Sequence, residues 1–272
     1  NAPLVATLLK AGADPNAASG EGETVLMTGA RSGSADVVRA LIAAHADVNA
    51  RTKGNQTPLM YAANEGHVPV INLLLAAGAD RTARSGPQSA PPAAMRPTVD
   101  PGSKPVRDVT ASQGNINPRT GGFTPMLFAV RQGHIDATRV FLEAGVSPNE
   151  ELPDGSSAVV LAATNAHFDL ALMLVDKGAD PNGAAQGWTA LHAVTWVRRP
   201  NFGFNPPGPL TSGDVDSITF VKEMVKRGAN VNARITKEVT NGYRTALNRS
   251  GATPLMLAAR LADAPLMSTF LD

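Results

Sequence analysis

Short apolar segments with helical spacing recur along most of this chain and are separated by polar turns. In the stretch from Val70 to Leu75, apolar side chains fall on one side of a helix, which is typical of a helix with one buried face. A second kind of segment, rich in small residues, precedes such stretches, as Leu59 to Ala63 does here. The pattern predicts pairs of short helices joined by turns, and therefore an all-α fold.

The turns between the helix pairs carry a motif with a fixed period. Gly-Ala-Asp or a variant ends the pairs, and asparagine follows two residues after the aspartate position at Asn16, Asn49, Asn149, Asn182 and Asn232. That position recurs at an interval of 33 residues from Asp14 to Asp47, from Asp47 to Asp80 and from Ser147 to Asp180. An internal repeat of this length is typical of a solenoid, in which each unit buries its apolar face against its neighbours.

A second motif opens each helix pair and reads Thr-Pro-Leu-Met at Thr57 and Thr253. The threonine hydroxyl can cap a helix, and proline suits the first helical turn. Glycine after the second segment accepts the left-handed backbone that ends a helix, so we expect strain at His45, which replaces it once. The motifs therefore predict a helix pair, a tight turn and a finger-like loop in each unit.

Together these residues resemble the ankyrin repeat, whose consensus combines Thr-Pro-Leu-His, Gly-His and Leu-Leu-x-x-Gly-Ala-Asp-x-Asn at the same period. The resemblance implies an ankyrin-repeat solenoid of stacked helix-turn-helix units with β-hairpin fingers over the whole chain, 1–272. Both ends fall within a repeat, which favours a fragment of a longer array. The implied units are 1–18 (partial), 19–51, 52–84, 119–151, 152–184, 185–234 (enlarged by an insertion) and 248–272 (partial).

Three insertions interrupt the repeats. The first, at 85–118, is rich in proline, serine and glycine, so we expect no helix there and either a mobile linker or an arm that orders on a partner. The second, at 198–214, places two arginines and two phenylalanines among prolines, between the two helices of the enlarged unit. The third, at 235–247, contains Asn241-Gly242, which is a signal for a two-residue β-hairpin turn, so we expect a protruding hairpin.

The cellular setting is indicated only by the second insertion, which resembles one found in ankyrin-repeat proteins of soil bacteria. That resemblance implies a bacterial protein and favours the periplasm or the outside of the cell over the cytoplasm. The chain has no cysteine, which excludes disulfides, zinc-thiolate sites and thiol catalysis but leaves the compartment open. No apolar run approaches the roughly 18 residues that a membrane span needs.

Charge and motif content exclude several classes of function. The net charge of +1 argues against a nucleic-acid partner, although the part from Trp196 onward holds 10 Lys+Arg against 6 Asp+Glu. No phosphate-binding glycine loop, carboxylate pair or nucleophile motif is evident. The histidines His67, His134, His167 and His192 lie at repeat positions where imidazole ties adjacent helices and turns by hydrogen bonds. We therefore predict no metal site, no cofactor and no catalysis.

Partners of ankyrin-repeat proteins usually meet the concave face, which is made of finger tips and first helices. Aromatic residues are only 4% of this chain, so those on that face are candidate contacts, together with arginine. The resemblance implies a groove on the fourth to sixth units, and the arginines and phenylalanines among the prolines of the second insertion predict a recognition loop. For Trp196, Phe202 and Phe204 the alternative is a packing role. The predicted partner-binding residues are Phe123, Arg131, Trp188, Trp196, Arg198, Arg199, Phe202 and Phe204.

The predicted function is a scaffold that binds a protein partner, as a monomer or as part of a larger assembly. Two alternatives stay open. One is a structural element that self-associates or braces a larger complex. The other is the non-catalytic ankyrin region of a larger multidomain protein.

Overall fold

The computed structural model describes residues 2–87, 121–198, 211–237 and 250–272. Within those residues it contains thirteen α-helices, and the extended backbone is limited to isolated bridges. The described residues form two compact units. The N-terminal unit comprises 2–87 and 121–147, and the C-terminal unit comprises 148–198, 211–237 and 250–272. The predicted all-α fold class is confirmed.

The helices of the N-terminal unit form two rows. First helices of the repeats, α2, α4 and α6, contact one another in succession, and second helices α1, α3, α5 and α7 do the same. Each first helix also packs on the second helix that follows it. The bounds are α1 Ala2–Lys10, α2 Val25–Ser32, α3 Ala35–Ala43, α4 Pro58–Asn64, α5 Val68–Ala76, α6 Pro125–Gln132 and α7 Ile135–Glu143.

The C-terminal unit repeats this arrangement. The first helices are α8, α10 and α12, and the second helices are α9, α11 and α13. Phe168 of α9 and Phe220 of α11 stack with ring centroids 4.6 Å apart, which joins two second helices through the core. The bounds are α8 Ala158–Thr164, α9 Phe168–Asp176, α10 Ala190–Arg198, α11 Ser217–Lys226, α12 Pro254–Arg260 and α13 Ala264–Leu271.

The helix ends follow the two sequence motifs. In α2, α4, α6, α8 and α12 a Thr or Ser precedes the helix, and its hydroxyl accepts a hydrogen bond from the backbone N–H three residues later. Second helices end in a left-handed residue, which is glycine at Gly12, Gly78 and Gly178. His45 holds the same position with φ 63°, so the strain expected there is confirmed.

Asparagines in the fingers join neighbouring repeats within a unit, and Thr82 takes their position in the finger at Asp80. Asn49 donates from Nδ2 to the carbonyl of Gly78 (3.1 Å) and accepts from the backbone N–H of Asp80 at Oδ1 (2.7 Å). Asn149 makes the same two bonds, 3.1 and 2.7 Å long, to Gly178 and Asp180. Because each of these asparagines makes two hydrogen bonds to the next finger, it fixes the register of one repeat on the next.

The first and third insertions leave from finger tips that close like uninterrupted fingers. In an uninterrupted finger the backbone N–H of Thr52 donates to the carbonyl of Gln56, at 3.0 Å. The N–H of Ser85 donates to the carbonyl of Phe123 at 2.9 Å, and the N–H of Ile235 donates to that of Ala252 at 3.0 Å. The repeat backbone therefore continues across both insertions without displacement of the finger base.

An arginine reinforces each of these two finger bases. Arg84 donates from Nη1 to the carbonyl of Gly122 at 2.7 Å, and Arg234 donates to the carbonyl of Gly251 at 2.9 Å. The hairpin expected at Asn241-Gly242 lies outside the described residues.

Candidate functional site

The first helices and fingers of the N-terminal unit carry a line of polar and aromatic side chains. The guanidinium of Arg31 on α2 lies 4.4 Å from the ring centroid of Tyr61 on α4, and its Nη1 lies 3.0 Å from Oε1 of Glu23. The Tyr61 hydroxyl donates to Oε1 of Gln56 at 3.0 Å. Burial, and then the Glu23 carboxylate, raise the pKa of Tyr61, so its hydroxyl stays a hydrogen-bond donor at neutral pH.

A second arginine lies on aromatic rings at the next helix. The guanidinium carbon of Arg131 on α6 is 5.0 Å from the ring centroids of both Phe123 and Phe128. Its Nη2 donates to Oδ1 of Asn64 on α4 at 2.9 Å. Burial lowers the pKa of Arg131, which still leaves the group cationic. We call Arg31, Tyr61, Asn64 and Arg131 the Arg–aromatic row.

Two of the aromatic residues predicted to contact a partner are buried. Phe123 is 1% exposed, because it lies at the closed finger base and packs against Phe128, with ring centroids 5.3 Å apart. Trp196 is 6% exposed, and it lies in α10, which contacts α8, α11 and α12 and whose residues from Ala190 to Val197 are all buried. Neither side chain presents much surface to a partner.

The other predicted partner-binding residues differ in their burial and in their hydrogen-bond partners. Arg131 and Trp188 are half-buried, and the carbonyl of Trp188 accepts a hydrogen bond from Nε2 of Gln186. The guanidinium of Arg198 is directed inward, to the carboxylate of Asp263 on α13. The remaining predicted contacts, Arg199, Phe202 and Phe204, lie outside the described residues.

Three of the four histidines tie neighbouring repeats together, whereas Nδ1 of His167 lies 2.5 Å from the hydroxyl of Ser212 in the second insertion. Nε2–H of His67 donates to the carbonyl of Arg31, and that of His134 donates to the carbonyl of Asn64, each at 3.0 Å. The buried His192 accepts from the backbone N–H of Thr189 at Nδ1 (3.1 Å), so its Nε2–H is the donor to the carbonyl of Ala252 (3.2 Å). Burial lowers the pKa of His192 to about 4.

Metal-ligand clusters and membrane-spanning helices are both absent from the described residues. Across those residues no three His, Asp or Glu side chains converge as a metal site would require. None of the helices in the described ranges is long and apolar enough to cross a membrane.

Tyr61 is a surface residue that sequence reasoning missed. It occupies the same repeat position as Phe128, one residue after the apolar pair that opens the helix. Aligning the repeats at their capping threonines would have found it.

Comparison with known proteins places the chain in a family. The family model for ankyrin repeats (three copies) matches residues 1–85 and 126–201. Because these ranges make up more than half of the chain, it belongs to the ankyrin-repeat family, as predicted. Ankyrin repeats are generally protein–protein interaction modules, and the fold is typically a non-catalytic binding scaffold.

Two individual proteins illustrate the similarity. A putative ankyrin repeat protein of fowlpox virus (strain NVSL), FPV222, is 26% identical over 119 residues, which cover 38% of this chain and 16% of that protein. The crystal structure of the human ASB11 ankyrin repeat domain has a TM-score of 0.67 at 20% identity, covering 99% of this chain and 95% of that one. This second likeness shows the fold alone. Since the curated relative is viral, a bacterial origin stays a prediction.

Proposed function

We propose that the chain is a non-catalytic scaffold that binds a protein partner on its first helices and fingers, with the Arg–aromatic row as the main contact in the N-terminal unit. The observation that carries the proposal is the pair of arginines held over aromatic rings, Arg31 over Tyr61 and Arg131 over Phe123 and Phe128. Arginine and tyrosine are enriched among residues that dominate binding energy at protein interfaces.

The packing of the row lowers the entropic cost of binding. A free arginine side chain loses about 2 kcal/mol of rotamer freedom when it is immobilised. Here the ring of Tyr61 and the carboxylate of Glu23 already hold Arg31, and Asn64 already holds Arg131. A partner would therefore meet guanidinium groups whose orientation is set before contact, which favours affinity and geometric selectivity.

Trp188 supplies a matching candidate contact in the C-terminal unit. It is half-buried at the base of the finger that precedes α10, whereas Trp196 within α10 is almost wholly covered. Of the two tryptophans expected to line the predicted groove, this proposal therefore keeps only Trp188 as a contact. Arg198 contributes through the fold, because its donors are directed to Asp263 and Ser217.

The experiment is affinity capture from an extract of the native cell, with the purified chain as bait and mass spectrometry to identify the captured proteins. The test variant is Arg31→Ala/Trp188→Ala. The matched control is Arg39→Ala/Arg139→Ala, which removes two exposed arginines from the second helices α3 and α7. Each bait must keep the wild-type helical circular dichroism.

We expect a protein that the wild type and the control capture and the test variant loses. Equal recovery by all three baits would contradict the assigned face and direct attention to the insertions. The absence of specific capture by the wild type would contradict the scaffold function itself.

A further inference from the structure

One of the finger asparagines that join neighbouring repeats is followed by glycine. Asn182, in the finger after α9, precedes Gly183. At the same repeat position, the asparagines that precede alanine or glutamate are Asn16, Asn49, Asn149 and Asn232. An Asn-Gly pair is chemically reactive, because the backbone nitrogen of glycine reaches the preceding side-chain amide without hindrance from a Cβ. Asn182 therefore shares its position with the other finger asparagines but differs from them in reactivity.

The fold does not require a glycine after Asn182. Gly183 lies outside the left-handed region of the backbone. A Cβ at this residue would make only ordinary contacts, 3.4 Å from the carbonyl oxygen of Asp180 and 3.5 Å from Oγ of Ser157. Alanine follows the asparagine in three other fingers. Alanine at position 183 is therefore a mild structural change that removes the reactive pair.

The side chain of Asn182 connects two consecutive fingers. Its Nδ2 donates to the carbonyl of Gly228 at 2.9 Å, and its Oδ1 accepts from the backbone N–H of Asn230 at 2.7 Å. Both partners lie in the finger after α11. Asn182 is half-buried, so water reaches the finger that contains it. A chemical change at this amide would therefore act directly on the junction between two repeats.

We propose that Asn182 and Gly183 form a deamidation site, at which slow loss of ammonia converts the asparagine to aspartate or isoaspartate and weakens this junction. The backbone nitrogen of Gly183 gives its proton to hydroxide and attacks Cγ of Asn182. The Cγ–Nδ2 bond breaks, and ammonia leaves with a proton from water, which regenerates the hydroxide. A second water opens the resulting succinimide at either carbonyl. The net reaction consumes one water and releases one ammonia.

Either product disturbs the contact with the next finger. The donor bond to the carbonyl of Gly228 is lost, and a carboxylate oxygen then lies against that carbonyl oxygen, so two acceptors face each other. Isoaspartate also adds a methylene to the backbone of the finger, which changes its length. The junction is therefore weaker after the reaction, and the change is covalent.

The test is incubation of the folded chain in warm, mildly alkaline buffer, followed by peptide mapping with mass spectrometry and separation of isoaspartate by chromatography. We expect deamidation at Asn182 to be about tenfold faster than at Asn49 and Asn149, because these make the same two hydrogen bonds but precede residues with a Cβ. Gly183→Ala should remove this difference. Asn241, which also precedes a glycine, is the positive control for the reaction conditions.

Asn182→Asp imitates one product and tests the weakened junction. We expect its thermal unfolding midpoint to lie about 3 °C below that of the wild type. Asn55→Asp is the matched control, because it makes the same charge change at an exposed finger tip, and it should keep the wild-type midpoint.

Three results would overturn the proposal. Equal deamidation rates at Asn182, Asn49 and Asn149 would mean that the glycine confers no reactivity in the folded chain. An unchanged rate at Asn182 in Gly183→Ala would mean the same. A wild-type unfolding midpoint in Asn182→Asp would mean that the reaction leaves the junction intact.

Discussion

Arg198 and Asp263 form a bidentate ion pair whose carboxylate is fully buried. Nε of Arg198 donates to Oδ2 at 2.7 Å and Nη2 donates to Oδ1 at 2.9 Å, while Asp263 is 0% exposed. Arg198 also donates to the hydroxyl of Ser217 at 2.6 Å, and Asp263 accepts from the backbone N–H of Leu266 at 3.3 Å. The pair therefore links the ends of α10, α11 and α13, at positions that hold Gly66-His67 and Gly133-His134 in two earlier repeats.

We expect Arg198→Met to lower the free energy of unfolding by about 3 kcal/mol, because it removes the cation that neutralises a buried carboxylate. The measurement is urea unfolding followed by circular dichroism. Arg227→Met is the control, since its partner Asp176 is more than half exposed, and we expect a loss of about 1 kcal/mol or less. Equal losses in the two variants would show that burial of Asp263 does not increase the free energy lost when its arginine is removed.

His192 makes stability depend on pH. Its pKa is lowered from 6.5 to about 4 in the folded chain, chiefly by burial. Between these values the unfolded chain binds a proton at this residue and the folded chain does not, so stability falls as the pH falls from 6.5 towards 4. From pH 7 to pH 5 this residue should remove about 2 kcal/mol.

The check compares the wild type with His192→Gln, which keeps a hydrogen-bonding side chain but does not titrate. Urea unfolding of both at pH 7 and pH 5 gives the difference due to His192, because other groups contribute equally to both proteins. We expect the variant to lose about 2 kcal/mol less than the wild type over this interval. If the wild type and His192→Gln had the same dependence of stability on pH, His192 would not be held neutral by its burial.

The first insertion should be dispensable for the fold. Ser85 and Phe123, on either side of residues 86–122, are joined by the same backbone hydrogen bond that closes the uninterrupted finger from Thr52 to Gln56. Replacing residues 86–122 by copies of Lys53, Gly54 and Asn55 should therefore raise the free energy of unfolding by about 2 kcal/mol, the entropy of closing the longer loop. Thermal or urea unfolding measures this. A loss of stability would instead mean that the removed segment packs on the repeats.

Alanine substitutions at Gly78 and Gly66 should distinguish the cost of a left-handed backbone from the cost of a steric contact. Gly78 and Gly66 have φ of 86° and 71°, but a Cβ at Gly78 meets nothing within 4 Å, whereas one at Gly66 lies 2.6 Å from Nδ1 of His134. Gly78→Ala should cost about 1 kcal/mol for the left-handed backbone alone. Gly66→Ala should cost a further 1–3 kcal/mol or so, because the His134 ring must move. Equal costs in urea unfolding would show that the ring moves freely.

The sequence by itself determined the repeat, the helix pairs and their ends. These features depend on contacts that are close along the chain, such as the hydroxyl of Thr57 and the N–H of Met60, three residues apart. They also depend on a period that brings equivalent residues together, as Asn49 and Asp80 show. Local hydrogen bonds and repetition leave a direct signal in residue order, so this part of the fold could be predicted.

Only the tertiary structure decided which side chains are available to a partner. The position of Trp196 in a first helix is compatible with an open face or with a packing role, and in the structure its side chain is 6% exposed. Arg198 was assigned to a recognition loop, yet Asp263, 65 residues away in sequence, holds its guanidinium. Exposure and ion pairing depend on which distant segments pack against a residue. Such contacts leave no local pattern in the sequence from which they could be predicted.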